Sequence, residues 1–223
     1  MKRFIVFSAF IAVIVFLSAF TVMQKKKIIF FGDSITQAGV APNGYITLLQ
    51  QMLVKNGKDK AFDLIGAGIG GNKIYDLYLR LEDDVLSKKP DLVFIYVGIN
   101  DVWHKRSYGT GTDPDKFEKF YNKIIDKIQS TGAKVVICTP TVVGEKKGYV
   151  NDLDGDLNKY SEIVRQIAKN KKVELIDLHK TIVDYINAHN PENKNSGILT
   201  TDGVHMNDEG NRFLAEQFWE YIK

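Results

Sequence analysis

The sequence is poor in cysteine. Cys138 is the one cysteine among 223 residues, so no disulfide can form within the chain and no cysteine cluster can bind zinc. It falls in the apolar run Val135-Val136-Ile137-Cys138 and reads as a small buried hydrophobe. An excess of charge of either sign is also missing. Removing Lys2 and Arg3 from the 30 basic residues leaves 28 against 27 acids for residues 25–223. A near-neutral body argues against a nucleic-acid-binding surface. Repeats, low-complexity tracts and internal linkers are missing. So is G-x-S-x-G, the nucleophile turn of ordinary α/β-hydrolases.

One long hydrophobic run is present, at the N-terminus. Lys2 and Arg3 precede Phe4–Met23, which carries no charge. A basic start before an apolar core is the pattern of a secretory signal, and about 20 apolar residues also suffice to span a bilayer. No clean small-x-small cleavage site follows; Ala19-Phe20-Thr21 is the nearest. Lys25-Lys26-Lys27 beyond the run removes any orientation signal from flanking charge. No cysteine ends the run, which excludes lipid attachment there. Residues 1–24 are therefore expected to be a signal peptide or N-terminal membrane anchor, with residues 4–23 as the tether in the second case. Either version places the domain of residues 25–223 outside the cytoplasm, periplasmic or secreted. That domain is long enough for one large core.

Strand-like and helix-like stretches alternate along it. Ile28–Phe31, Phe62–Ile65, Leu92–Val97, Val135–Cys138 and Val173–Ile176 are short apolar runs rich in β-branched and aromatic residues, the mark of strands buried on both faces. Helices are expected over Pro42–Asn56, Lys73–Ser87, Pro114–Ser130, Asp156–Asn170, Thr181–His189 and Asn207–Ile222. This alternation means a parallel sheet covered on both faces, a three-layer α/β/α domain that resembles a flavodoxin-like sheet of five parallel strands. Trp103–Asp113 and Thr141–Gly155 read as long loops after the third and fourth strands. They share the carboxyl edge of the sheet, where such folds bind ligands.

Four small motifs fall on that edge: Gly32-Asp33-Ser34-Ile35-Thr36 after the first strand, Gly68-Ile69-Gly70-Gly71-Asn72 after the second, Gly98-Ile99-Asn100-Asp101 after the third, and Asp202-Gly203-Val204-His205 before the last helix. Each is weak alone; Ser34 by itself serves equally as a helix N-cap. Together, in this order, they make the chain similar to the SGNH, or GDSL, hydrolase family over everything after residue 27. Two other patterns fail. Gly66, Gly68 and Gly71 fit G-x-G-x-x-G, but in the second strand–helix unit and with no acid after the next strand to hold a ribose. Asp152-Leu153-Asp154-Gly155-Asp156 lacks the glycine and glutamate of an EF-hand.

The resemblance implies a serine esterase. A serine hydroxyl needs an adjacent base at neutral pH. His205 is the candidate base for Ser34, and Asp202, three residues earlier, is spaced to hold one imidazole nitrogen while the other faces the serine. The resemblance assigns the oxyanion donors to the backbone N–H groups of Ser34 and Gly71 and the side-chain amide of Asn100, with Gly70 as the one-residue alternative to Gly71. It makes Asp33 and Asp101 structural, and it requires no cofactor or metal. The expected reaction is cleavage of a carboxylic ester through an acyl-enzyme. The expected substrate is a short O-acyl group, acetyl, on a carbohydrate, with Trp103, His104, Tyr108 and Tyr149 as rim residues for a sugar. The alternatives are a lysophospholipase or thioesterase and, in a different class, a non-catalytic glycan- or lipid-binding protein on the same fold.

Overall fold

The computed structural model describes residues 24–222; the expected signal or anchor of residues 1–24 lies almost wholly outside them. Five strands form one parallel sheet in the order β2-β1-β3-β4-β5: β1 Lys26–Gly32, β2 Phe62–Gly68, β3 Leu92–Tyr96, β4 Lys134–Cys138 and β5 Glu174–Ile176. Eight helices accompany them among the described residues: α1 Ser34–Ala38, α2 Tyr45–Lys55, α3 Ile74–Asp84, α4 Ile99–Tyr108, α5 Pro114–Gln129, α6 Asp154–Lys171, α7 Leu178–His189 and α8 Asp208–Trp219. None is long and apolar enough to cross a membrane.

The two faces of the sheet follow from strand alternation. Phe30 and Phe94 are opposed across β1 and β3, with rings stacked at 5.0 Å. Both meet Phe218 of α8, and Phe30 also meets Tyr45 of α2. Phe31, one residue on, faces the other way, under Arg80 of α3. There α5 packs as well, its Tyr121 hydroxyl donating to the Ile95 carbonyl, and α6 packs on α5 through Tyr160 and Phe117. Fully burying one such aromatic or aliphatic side chain contributes about 1.5–3 kcal/mol.

The strand order places the site. The chain leaves β1 for β2 on one side and returns to β3 on the other. The carboxyl ends of β1 and β3 therefore open a crevice at the switch point. The segments after those strands carry Ser34 and Asn100.

Several expected boundaries shift. The helix expected from Pro42 begins at Tyr45, whose N–H donates to Asn211 Oδ1 at 3.0 Å, and the short helix α1 before it lies outside the expected helices. The helix expected from Lys73 ends at Asp84, before a separate 3-10 turn at Leu86–Lys88. Residues 154–155 and 178–180 join the helices that follow them. The largest correction concerns the stretch read as a loop from Trp103: Ile99–Tyr108 is helix, closed by Gly109 in the left-handed conformation. Asn100 thus sits in the first turn of a helix.

Candidate active site

The motifs at the sheet edge converge. Asp33, not Ser34, caps α1, its Oδ1 accepting the Ile35 N–H at 3.1 Å, so Ser34 is the first helical residue. Its hydroxyl lies 3.0 Å from His205 Nε2, across 171 positions of sequence. His205 Nδ1 lies 2.7 Å from Asp202 Oδ2. The other carboxylate oxygen of Asp202 accepts the N–H groups of Val204 and His205 at 2.9 and 2.8 Å. Partial burial opposes the Asp202 charge, but the bonds from the His205 ring and from these two N–H groups hold its carboxyl below the usual range. An ionised Asp202 favours Nδ1–H on His205 and leaves Nε2 free to accept the Ser34 proton.

The second and third motifs are tied to the first by hydrogen bonds. Gly70 donates its N–H to Gln37 Oε1 of α1 at 2.8 Å, so that donor is occupied. Gly71 adopts φ +75°, a conformation glycine takes without strain, and its N–H donates to nothing among the described residues. This distinction favours Gly71 over Gly70 as a donor to a bound oxygen. The Asn100 amide donates one hydrogen to the Asn72 carbonyl at 3.1 Å. An amide carries two, so one is left over. Gly68, pairing with Gly32 at the strand ends, lies so close to α1 that a Cβ there would come within 2.1 Å of Gln37 N. Gly68, the middle glycine of the dinucleotide pattern, thus serves helix–strand packing.

Two carboxyls behind the site are buried. Burial pushes Asp33 and Asp101 up to about 7 each. Asp33 Oδ2 has no hydrogen-bond partner, while Asp101 accepts the Ile74 N–H and so anchors the start of α3. Asp154, from the failed calcium pattern, is also buried and caps its own turn by accepting from Asn151.

Beside Asp202 lies a cavity of about 390 Å³ bounded by Trp103, Arg106, Lys146, Asn151, Asp152 and Asn195, among others. The Trp103 ring is 6.4 Å from that of His205. His104 packs against Gly71 and under Tyr108; burial, then the Lys73 charge, keeps its imidazole below the ordinary histidine range. Tyr149 does not join them. It faces a separate small hollow near Val183 and Ile186.

Two residues that matter here carry no signal in the sequence. Arg80, on α3, donates to the Gly32 carbonyl at 2.7 Å, the Ala67 carbonyl at 3.0 Å and Asn72 Oδ1 at 2.7 Å. It staples the ends of β1 and β2 to the loop holding Gly71. Glu145, amid glycine and lysines in the stretch expected to be a long loop, is fully buried.

The arrangement pairs a serine hydroxyl with a histidine and a carboxylate at a sheet edge. Comparisons with known proteins give the family. Residues 30–213 match the model of the GDSL-like Lipase/Acylhydrolase family. An acetylxylan esterase of Geobacillus stearothermophilus is 26% identical over 213 residues, covering 88% of this chain and 94% of that protein. A lipoprotein of Bacillus subtilis, YqeF, is 25% identical over 211 residues, covering 86% and 87%. The crystal structure of an acetyl xylan esterase, AlAXEase, superposes with a TM-score of 0.87 at 59% identity, covering 88% of this chain and all of that one. The chain belongs to the GDSL-like lipase/acylhydrolase family and is a carboxylic ester hydrolase.

Proposed function

We propose that the protein removes acetyl groups from a carbohydrate, with Ser34 as nucleophile, His205 as general base and Asp202 as the group that orients it. The observation that carries this reading is the chain of contacts from Ser34 Oγ to His205 Nε2 at 3.0 Å and from His205 Nδ1 to Asp202 Oδ2 at 2.7 Å. Ser34 Oγ attacks the acetyl carbonyl carbon as its proton passes to His205 Nε2. The carbonyl oxygen becomes negative and is held by the Ser34 and Gly71 N–H groups and the Asn100 amide, each donor of this kind being worth about 3 kcal/mol. His205 then protonates the departing sugar hydroxyl, leaving an acetyl-enzyme. Water, deprotonated by His205, attacks that ester and releases acetate and free Ser34.

The substrate class is supported by relatives that are acetylxylan esterases, one of them 59% identical. Residues 1–24 serve as a signal peptide or anchor in this reading, and the enzyme acts outside the cytoplasm. The lipoprotein relative is consistent with that address.

The test is hydrolysis of p-nitrophenyl acetate, p-nitrophenyl octanoate and an O-acetylated xylo-oligosaccharide, with Ser34→Ala in parallel. Acetate release from the oligosaccharide, preference for the acetate ester, and a loss of about 10⁴-fold or more in Ser34→Ala are expected. Preference for octanoate overturns the substrate class. Equal turnover by Ser34→Ala overturns the mechanism.

A further inference from the structure

The segment after β4 faces two ways. Val143, Gly144 and Lys146 line the cavity beside Asp202, while Glu145 between them turns inward and is fully buried. Its carboxylate accepts three consecutive peptide N–H groups: Ile198 on Oε2 at 2.8 Å, and Leu199 and Thr200 on Oε1 at 2.7 Å each. Main-chain bonds run alongside. Glu145 N–H donates to the Asn195 carbonyl at 2.9 Å, and Gly144 N–H to the Gly203 carbonyl at 2.8 Å. The Asn190 amide closes the cluster by donating to the carbonyls of Glu145 and Lys194 at 2.7 and 2.8 Å.

These bonds end on residues 194–203, the stretch that carries Asp202 and stops two short of His205. This stretch belongs to no helix or strand; its one ladder contact is the bridge between Thr200 and Met206. Three adjacent amides outside regular structure, those of Leu199 and Thr200 buried and that of Ile198 partly so, need an acceptor. A buried carboxylate in turn is costly unless hydrogen-bonded. Glu145 answers both needs at one point.

We propose that Glu145 is a positioning residue for the catalytic base: its carboxylate fixes residues 198–200, and thereby sets Asp202 and His205 in register with Ser34. It touches neither substrate nor reacting atoms and acts through His205. The proposal rests on the reading of Ser34 and His205 given above. Misplacing a catalytic group by about 1 Å can cost on the order of 100-fold, so the effect of loosening the clamp is measurable.

The test is Glu145→Gln, which keeps the size but turns one acceptor into an N–H₂ facing a peptide N–H. Three quantities are read: kcat and KM for p-nitrophenyl acetate, the rate at which a fluorophosphonate labels Ser34, and the far-downfield proton signal of His205 Nδ1–H. A fall of about 10- to 100-fold in kcat is expected, with KM little changed, labelling slowed in proportion and the downfield signal shifted or lost. Wild-type kcat, labelling and proton signal in the folded variant overturn the proposal. Should Glu145→Gln fail to fold, Glu145→Asp, which keeps the charge but withdraws it by one methylene, is judged by the same readouts. Amide exchange in the wild-type protein gives a further check: Leu199 and Thr200 N–H groups that exchange as fast as those of an open loop overturn the clamp without any variant. A wild-type protein that fails to label at Ser34 overturns the catalytic reading along with this one. Normal labelling in both wild type and Glu145→Gln overturns this one alone.

Discussion

Ser34 and His205 meet at 3.0 Å, yet the two sides of that contact are built by different means. Ser34 follows a central strand paired on both flanks, β2 on one side and β3 on the other, and opens a helix capped by the residue before it. His205 stands in a stretch without helix or strand, held from outside by buried side chains. Main-chain ladders spread the restraint over many bonds. Side-chain clamps concentrate it in a few groups, so single substitutions should act more sharply on the base side than on the nucleophile side.

The largest effects test whether the two sides work as one unit. His205→Ala should lose about 10⁴-fold or more in kcat, and the double variant with Ser34→Ala should be no worse than either single one, since members of such a unit are grossly non-additive. Measured additivity would separate the two residues. Asp202→Asn should cost about 10⁴-fold in kcat with little loss of fold. Its remaining oxygen can still accept from Val204 and His205 N–H, but its amide would face Nδ1 and force the wrong tautomer. A fall of less than tenfold in a kinetic assay would remove Asp202 from the mechanism.

A smaller effect is expected from Arg80, the side chain that joins the ends of β1 and β2 on the nucleophile side. Lysine cannot reach the Gly32 and Ala67 carbonyls and Asn72 Oδ1 together. Arg80→Lys should lower the melting temperature by several degrees, since hydrogen bonds to a charged group contribute about 1.5–3 kcal/mol each and a domain of this size moves about 2–4 °C per kcal/mol. Its kcat should fall by about tenfold, the scale of a slight displacement of the loop that holds Gly71. Unchanged kcat with a lowered melting temperature would show that the strand ladder alone holds the nucleophile side.

The same contrast governs what could be read from the chain. The sheet was legible because each strand is a compact apolar run, and the triad residues because they lie in short motifs at element ends. Helix α4 was not. Its sequence, INDVWHKRSY, has no apolar stripe; it buries Ile99, Asn100, Asp101 and Val102 at one end and leaves the rest half-covered or exposed. The rim aromatics divided for a related reason: Trp103, His104 and Tyr108 are gathered by that unrecognised helix, whereas Tyr149 sits in a true loop with φ +58°. Arg80 and Glu145 were illegible because their partners lie up to 55 residues away, and no local pattern encodes such a pairing.

The buried carboxyls behind the nucleophile are read in stability, not in rate. Asp33 and Asp101 are pushed from 3.8 up to about 7 by burial. Between those values the folded protein holds protons that the unfolded chain has released. Stability therefore falls as pH rises through that window, by up to about 1.4 kcal/mol per pH unit for each proton held, and levels off above it. Asp33→Asn removes one of the two contributions. Its Oδ1 can still accept the Ile35 N–H, so the cap survives, and its amide replaces the carboxyl oxygen that has no partner. Urea midpoints measured from pH 4.5 to 8 should show the variant gaining on wild type up to about pH 7 and running parallel above it. Parallel curves throughout would mean that Asp33 ionises freely in the folded protein. The nucleophile turn would then hold a buried charge, and the contrast with the base side, where Glu145 sits among three N–H groups, would narrow.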